Sequence, residues 1–210
     1  MPTVKQNLFW DRYPWLQEGD EWQDQATHTG QAYPAWKASL IDTFIRPYVR
    51  AVRVVEIGPG HGRWSEHILK LGAASLHLVE LSENSLRYLE HKFAGASIST
   101  HQTAGSDLGV APGQADFVFS YDSLVHCEWP EIQGYIDASA HALTPGGIAV
   151  LHTPGAGAAG GQRGNVTRDQ VAEAARAAGF DLIEQVDSWG PVGQYTCTLF
   201  GDVVTTARKV

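Results

Sequence analysis

Two groups of residues in this chain have types and spacing that could do chemistry. The first is in VVEIGPGHGRW (54–64), where Glu56, Gly58, Gly60 and Gly62 follow an E-x-G-x-G-x-G pattern. Glycine reaches φ > 0 and has no Cβ, so a ligand can come close to bare backbone there. A helix after such a loop offers free N–H groups to an anion. Glu56 could hold an ammonium, directly or through water. Glu80, at the end of the next apolar run, could accept both hydroxyls of a ribose, as the acid about twenty residues beyond a dinucleotide loop does. The second group is Asp122, His126 and His152. A histidine titrating near neutrality suits a general base acting on a hydroxyl, and Asp122 could bind substrate or orient a histidine. His126 follows Asp122 by four residues, so a helical turn starting there would put both on one face. Each also has a plain structural role: Asp122 as a turn cap, His126 packed beside Cys127 and Trp129, His152 bonded to loop backbone.

Positioning these residues takes an alternation of strands and helices. VRVVEIG (52–58) is a β-branched run, hence a buried strand; GRWSEHILKLG (62–72) is helical and closes on Gly72. SLHLVEL (75–81) is the second strand, and Ser82 caps a helix over ENSLRYLEHKFA. ASISTHQT (96–103) and ADFVFSYDSL (115–124) are strands three and four; WPEIQGYIDASAHAL is a helix, TPGG (144–147) a turn, and IAVLHTP (148–154) strand five. Gly155 to Gly164 is a glycine-rich loop that could gate the mouth of a site. Thr167 caps RDQVAEAARAAG. FDLIEQVDSW and QYTCTLF, followed by a further run DVVTTA, end the chain. The pattern predicts an α/β fold: a Rossmann-like, doubly wound, seven-stranded sheet, mostly parallel. GPVG (190–193) is too short for a parallel crossover, so the C-terminal pair is expected to be an antiparallel hairpin.

In such a sheet the ligand lies beyond the carboxyl ends of the strands. A dinucleotide prefers G-x-G-x-x-G, and here the third glycine comes one residue early. A P-loop needs Gly-Lys-Ser/Thr, which is absent. S-adenosylmethionine, with its carboxylate, ammonium, ribose and adenine, is the third candidate. EIGPGHG, the acid of VELSENSL, DFVFSYDSLVH and LTPGGIAVLH together resemble the motifs of class I S-adenosylmethionine-dependent methyltransferases over roughly residues 50–200. GPGHGRW with FSYDSLVH also resembles a subgroup of small bacterial enzymes associated with sugar or natural-product O-methylation. The resemblance implies S-adenosyl-L-methionine as cofactor, held by Glu56, Gly58, Gly60, Gly62, Trp64, Glu80, Leu81, Gly105, Asp107 and Tyr121. Asp107 stands later than the family's adenine-binding acid, and backbone at Ala104 or Gly105 could serve instead.

Residues 1–36 form a separate unit, an aromatic and acidic arm with Trp10, Trp15, Trp22 and Trp36; the methyltransferase domain is expected over 37–210. Trp22, Tyr33 and Trp36 could close over cofactor and acceptor, since aromatic faces suit a sulfonium or a sugar ring; ordinary packing of a terminal arm is the alternative. Pro47 is expected to end or kink the helix KASLIDTFIRPYVR. The net charge of −8 argues against a nucleic-acid partner, no apolar run suits a bilayer, and no signal pattern opens the chain, so the cytoplasm is expected. Two cysteines exclude a disulfide framework, and no ligand spacing supports a metal at Asp122, His126, Glu128 and His152. The expected acceptor is a small hydroxylated metabolite. An amine or peptide acceptor, or cofactor binding without catalysis, is the alternative.

Overall fold

A computed structural model describes residues 9–13, 30–157, 163–197 and 200–210. Trp15 and Trp22 lie outside the described residues. Helix α1 (Tyr33–Leu40) runs on through a π-type turn, Ile41–Ile45, into a 3₁₀ turn, Arg46–Tyr48. Pro47 sits in that last turn and ends the helical segment, because it supplies no N–H and locks φ. The chain then alternates β1 (Arg53–Ile57), α2 (Arg63–Lys70), β2 (Ser75–Glu80), α3 (Glu83–Lys92), β3 (Ile98–Gln102) and β4 (Ala115–Ser120). It continues with α4 (Trp129–Ala142), β5 (Leu143–Thr153), α5 (Arg168–Ala177) and β6 (Phe180–Val186). Two short strands, β7 (Ser188–Trp189) and β8 (Tyr195–Thr196), precede β9 (Val203–Lys209).

Seven strands form one sheet in the order β3-β2-β1-β4-β5-β9-β6. The strands from β1 to β5 pair in parallel, and β9 runs antiparallel to both β5 and β6. This is the expected sheet with one difference. The residues around GPVG make a small hairpin, β7–β8, outside the main sheet, and the antiparallel seventh strand is β9, from the run DVVTTA onward. The last run fits the sheet better: Val203, Val204, Thr205, Thr206 and Ala207 are all buried, whereas Tyr195 and Thr196 are half-exposed. The TPGG turn is absorbed into the start of β5, beside a register shift opposite Ala115–Phe117.

Side chains alternate across the strands to fill a layer on each face. Val54, Leu76, Leu78, Phe117, Phe119 and Val150 pack with Trp36, Phe44, Ile68 and Leu89 on one side. Val55, Ile57, Val79, Val118, Ala149 and Leu151 pack with Ile132, Ile136, Val171 and Ala175 on the other. Two expected caps are present. Ser82 Oγ accepts from the Ser85 N–H, and Thr167 forms a reciprocal capping box with Gln170. Both caps fix helices whose preceding loops lie at the carboxyl edge of the sheet, where the site is.

Candidate active site

β1 ends in Glu56 and Ile57, and the Gly58 N–H continues the ladder by donating to the Val79 carbonyl (2.8 Å). The chain then turns sharply, with the Gly62 N–H donating to Pro59 O (2.8 Å), before α2 begins. Gly58, Gly60 and Gly62 all have positive φ, at 66°, 55° and 85°. A Cβ on Gly58 would lie 1.9 Å from Ser123 Oγ, and one on Gly62 would strike Phe93 and Leu89. The loop is therefore wedged between β4 and α3. The N–H groups of its three glycines are spent inside the protein, that of Gly60 on Glu80 Oε2 (3.1 Å).

Glu80 at the tip of β2 also accepts from the N–H groups of Leu81 (2.7 Å) and Ser82 (3.1 Å) on its other oxygen. Burial raises its pKa, and these three donors oppose the rise. Three of about four acceptor positions on the carboxylate are filled, which leaves capacity for one further donor. Glu56 is buried behind the loop. One of its oxygens accepts from Ser65 Oγ (2.6 Å), and the other has no hydrogen-bond partner. Burial pushes its pKa up to about 7, with Ser65 and Arg63 pulling the other way.

Above the loop is a cleft, open at its mouth, lined from β1, β2, the chain after β4, and α4. Of the residues expected from sequence, Gly58, Gly60, Trp64, Glu80, Leu81, Gly105, Tyr121, Asp122 and His126 line it. Glu56, Gly62, Asp107, His152 and Trp36 do not. Asp107 builds its own loop instead, accepting from Thr103 Oγ1 (3.1 Å), from the Ala104 N–H (3.1 Å) and from His101. The loop then presents Thr103 and Gly105 to the cavity. Trp36 is buried behind the wall. It packs on Trp64, Tyr121 and Trp189 and donates to the Thr196 carbonyl (2.9 Å).

His152 is fully buried at the end of β5, stacked on Tyr121 with ring centroids 4.2 Å apart. Its Nδ1 accepts the backbone N–H of Asp122 (3.0 Å). Burial and the nearby Arg163, His126 and Arg63 charges hold its pKa well below the usual histidine value. It is thus a neutral ring whose free lone pair is already used, and it cannot serve as the acceptor's base. Asp122 has φ 63°, in the left-handed region. Its carboxylate lies 3.9 Å from Arg63 and 3.7 Å from Arg163. His126 lies in the 3₁₀ turn Leu124–His126, four residues on, and faces the same cavity. Glu128 turns aside to accept from the Asn165 N–H (3.3 Å). Among the described residues, no group of three or more His, Cys, Asp or Glu is arranged to hold a metal ion.

Sequence reasoning missed several lining residues. Arg63 was visible as the first residue after the loop, and it is buried at the head of α2 with its guanidinium over the Trp64 ring. Trp10 reaches the cavity from the N-terminal arm and packs on His126, with centroids 5.3 Å apart. Asp11 anchors that contact: its carboxylate accepts from Ser82 Oγ (2.5 Å), and Asn84 donates to its carbonyl (3.3 Å). Glu131 and Tyr135 come from α4. Nothing in their local sequence marks them, because only the packing of α4 against the β3–β4 loop brings them in.

Residues 54–147 match the family described as a methyltransferase domain. No curated protein matches the sequence. Among solved structures, an S-adenosylmethionine-dependent methyltransferase from Mesorhizobium loti superposes with a TM-score of 0.66 at 17% identity, covering 84% of this chain and 97% of the other. Magnesium protoporphyrin IX methyltransferase from Synechocystis PCC 6803, with bound cofactor, gives 0.64 at 14% identity over 91% and 85% of the two chains. The [4+2]-cyclase SpnF gives 0.64 at 18% identity over 85% and 81%. Fold likeness of this degree does not fix a reaction.

Proposed function

We propose, from the premise that this chain is a class I S-adenosylmethionine-dependent methyltransferase, that it methylates a hydroxyl of a small metabolite. The observation that carries the reading is the split between the two histidines: His126 lines the cavity, while His152 is sealed beneath it. S-adenosylmethionine supplies an electrophilic methyl group with its leaving group already activated. The residues present fit it. Glu80 and Leu81 stand where a ribose would meet the tip of β2. Thr103 and Gly105 offer a wall for the adenine, and Arg63 offers a buried cation for the carboxylate. Glu56, buried behind the loop with one oxygen unpartnered, favours an ammonium nearby.

His126 then takes the acceptor's proton, Asp122 orients the acceptor, and Trp10 covers both from the arm. The arm therefore acts as a lid, through Trp10 at least. Asp11 is its latch, and Trp36 belongs to the packing behind the wall. Incubation with labelled cofactor and a panel of hydroxylated acceptors tests the reading. Transfer to a hydroxyl, with His126→Ala slowing turnover by about 10²–10⁴-fold, is the expected result. An amine acceptor is the second reading. It is favoured by the carboxylates of Glu80, Asp122 and Glu131 on a wall where Arg63 is the one arginine among the described residues. Transfer to amines alone, unaffected by His126→Ala, would establish it in place of the first.

A further inference from the structure

The mechanism above gives His152, Arg163 and Asp202 no role, yet they join Asp122 and Arg63 in one buried ionic cluster. Asp122 sits between Arg63 and Arg163, and Arg163 Nε donates to Asp202 Oδ2 (3.0 Å). Asp202 Oδ2 in turn lies 3.6 Å from His152 Nε2. The side chains of Arg63, Asp122, His152, Arg163 and Asp202 are each no more than 5% exposed. Two guanidiniums and two carboxylates face one another in the cluster. Its members come from the head of α2, the ends of β4 and β5, and the chain just before α5 and β9.

A backbone N–H can only donate, so the bond from Asp122 requires His152 Nδ1 to be unprotonated and puts the ring proton on Nε2, on the Asp202 side. The residue so held has a left-handed backbone, which a non-glycine residue keeps only when its surroundings impose it. We infer that His152 is a positioning residue: its Nδ1 lone pair holds the Asp122 turn, and the Arg163–Asp202 pair, at ion-pair rather than hydrogen-bond distance from both, sets the charge beside the ring and the Asp122 carboxylate that faces the acceptor. The inference rests on the reading that Asp122 and His126 form the acceptor's wall.

Three variants test it. His152→Asn offers an amide oxygen close to where Nδ1 was, whereas His152→Phe fills the space and accepts nothing. Asp202→Asn keeps an acceptor for Arg163 Nε and removes one charge. A small misplacement at a reacting centre costs about 10²-fold in rate. His152→Phe should therefore lose about a hundredfold in kcat, with S-adenosylhomocysteine affinity within about threefold of wild type. His152→Asn should recover at least tenfold of that loss. Asp202→Asn should fall between the two, again in kcat rather than cofactor affinity. Wild-type kcat in a folded His152→Phe, or no recovery in a folded His152→Asn, overturns the inference. If His152→Phe does not fold, Asp202→Asn decides alone: wild-type kcat, or a loss only in cofactor affinity, overturns it. Failure of the wild type to bind S-adenosylhomocysteine would instead defeat the functional reading beneath it.

Discussion

The two walls of the cavity are made in different ways. The wall formed by Gly58, Gly60, Glu80, Leu81, Thr103 and Gly105 comes from one stretch of chain and is held mainly by backbone hydrogen bonds onto carboxylate or hydroxyl oxygens. The wall formed by Trp10, Arg63, Tyr121, Asp122 and His126 draws on the arm and on α2 and β4, and it is backed by side chains from β5, Arg163 and Asp202. Local backbone geometry suffices to shape the surface proposed to take the nucleoside. Holding a carboxylate and a histidine against an acceptor takes buried charges brought together from distant segments, and each such charge depends on its partner.

The first wall breaks most completely at Gly58. Alanine there would meet Ser123 Oγ at 1.9 Å with φ at 66°. Left-handed backbone alone costs roughly 1–2 kcal/mol, and the clash adds to it. Calorimetry should show S-adenosylhomocysteine binding weakened by more than about a hundredfold, by the same sensitivity to misplacement. Gly113 is the control, since its φ is 64° but nothing lies within 4 Å of a Cβ. Gly113→Ala should cost about the left-handed penalty in a thermal melt and leave binding intact. Equal losses in both variants would mean that strain, not shape, governs the loop.

This contrast also explains what could be read from the sequence. The strand–helix alternation, the caps at Ser82 and Thr167, and the loop Gly58–Gly62 were legible because each is set by residues within a few positions of one another. So was the placement of Glu80, one strand away. The second wall was half legible. Asp122 and His126 share a turn and were read together. The sealing of His152 depends on Asp202, Arg163 and Tyr121, and no local pattern announces it. Trp10 was missed in favour of Trp36 because aromatic composition shows that an arm packs somewhere but not which ring reaches the cavity. Asp107 was misread for a related reason. Its spacing suited an adenine contact, but His101 and the turn at Thr103–Ala104 take its oxygens first.

Glu56 gives the next effect in size, and it is one of pH. Its carboxyl titrates near 7 in the folded protein against about 4.5 when unfolded. Between those values the folded state holds more protons, so stability is greatest below the unfolded value. It falls as pH rises through the window and levels off above about 7. At about 1.4 kcal/mol per unit the loss is about 3 kcal/mol. Denaturant unfolding of wild type and Glu56→Gln at pH 5 and pH 8 should show the stability difference between the two shifting by about 3 kcal/mol in favour of the variant at pH 8, a comparison in which the opposite pH dependence of the histidines with lowered pKa cancels. The glutamine variant would then be the more stable of the two at pH 8. A difference between wild type and Glu56→Gln that does not change between these pH values would mean that Glu56 stays ionised despite its burial.

Asp11 tests whether the arm belongs to the second wall. Asp11→Ala removes the acceptor of the Ser82 hydroxyl, a contact worth about 0.5–1.5 kcal/mol. The KM for the acceptor should rise by about two- to tenfold, with cofactor affinity changing less. The opposite pattern would assign Trp10 to the nucleoside wall and move the boundary drawn above.

The smallest effect is expected at Asp107. Its side chain is half-exposed and absent from the cavity wall. Asp107→Asn keeps an oxygen for the Ala104 N–H and for the Thr103 hydroxyl, and it weakens only the exposed pair with His101. Exposed ion pairs contribute about 0–1 kcal/mol. The loop that carries Thr103 and Gly105 should therefore stay in place, because the Gly105 N–H still donates to Thr103 Oγ1 and the Thr103 N–H to the Glu80 carbonyl. S-adenosylhomocysteine affinity should change by less than about threefold. Asp107→Ala should cost somewhat more, because the Ala104 N–H then loses its acceptor. If Asp107→Asn instead lowered affinity by a factor of a hundred with the fold intact, the carboxylate would have to leave His101 and bind the nucleoside directly. The first wall would then depend on a charged side chain as much as the second does, and the difference between the two would disappear.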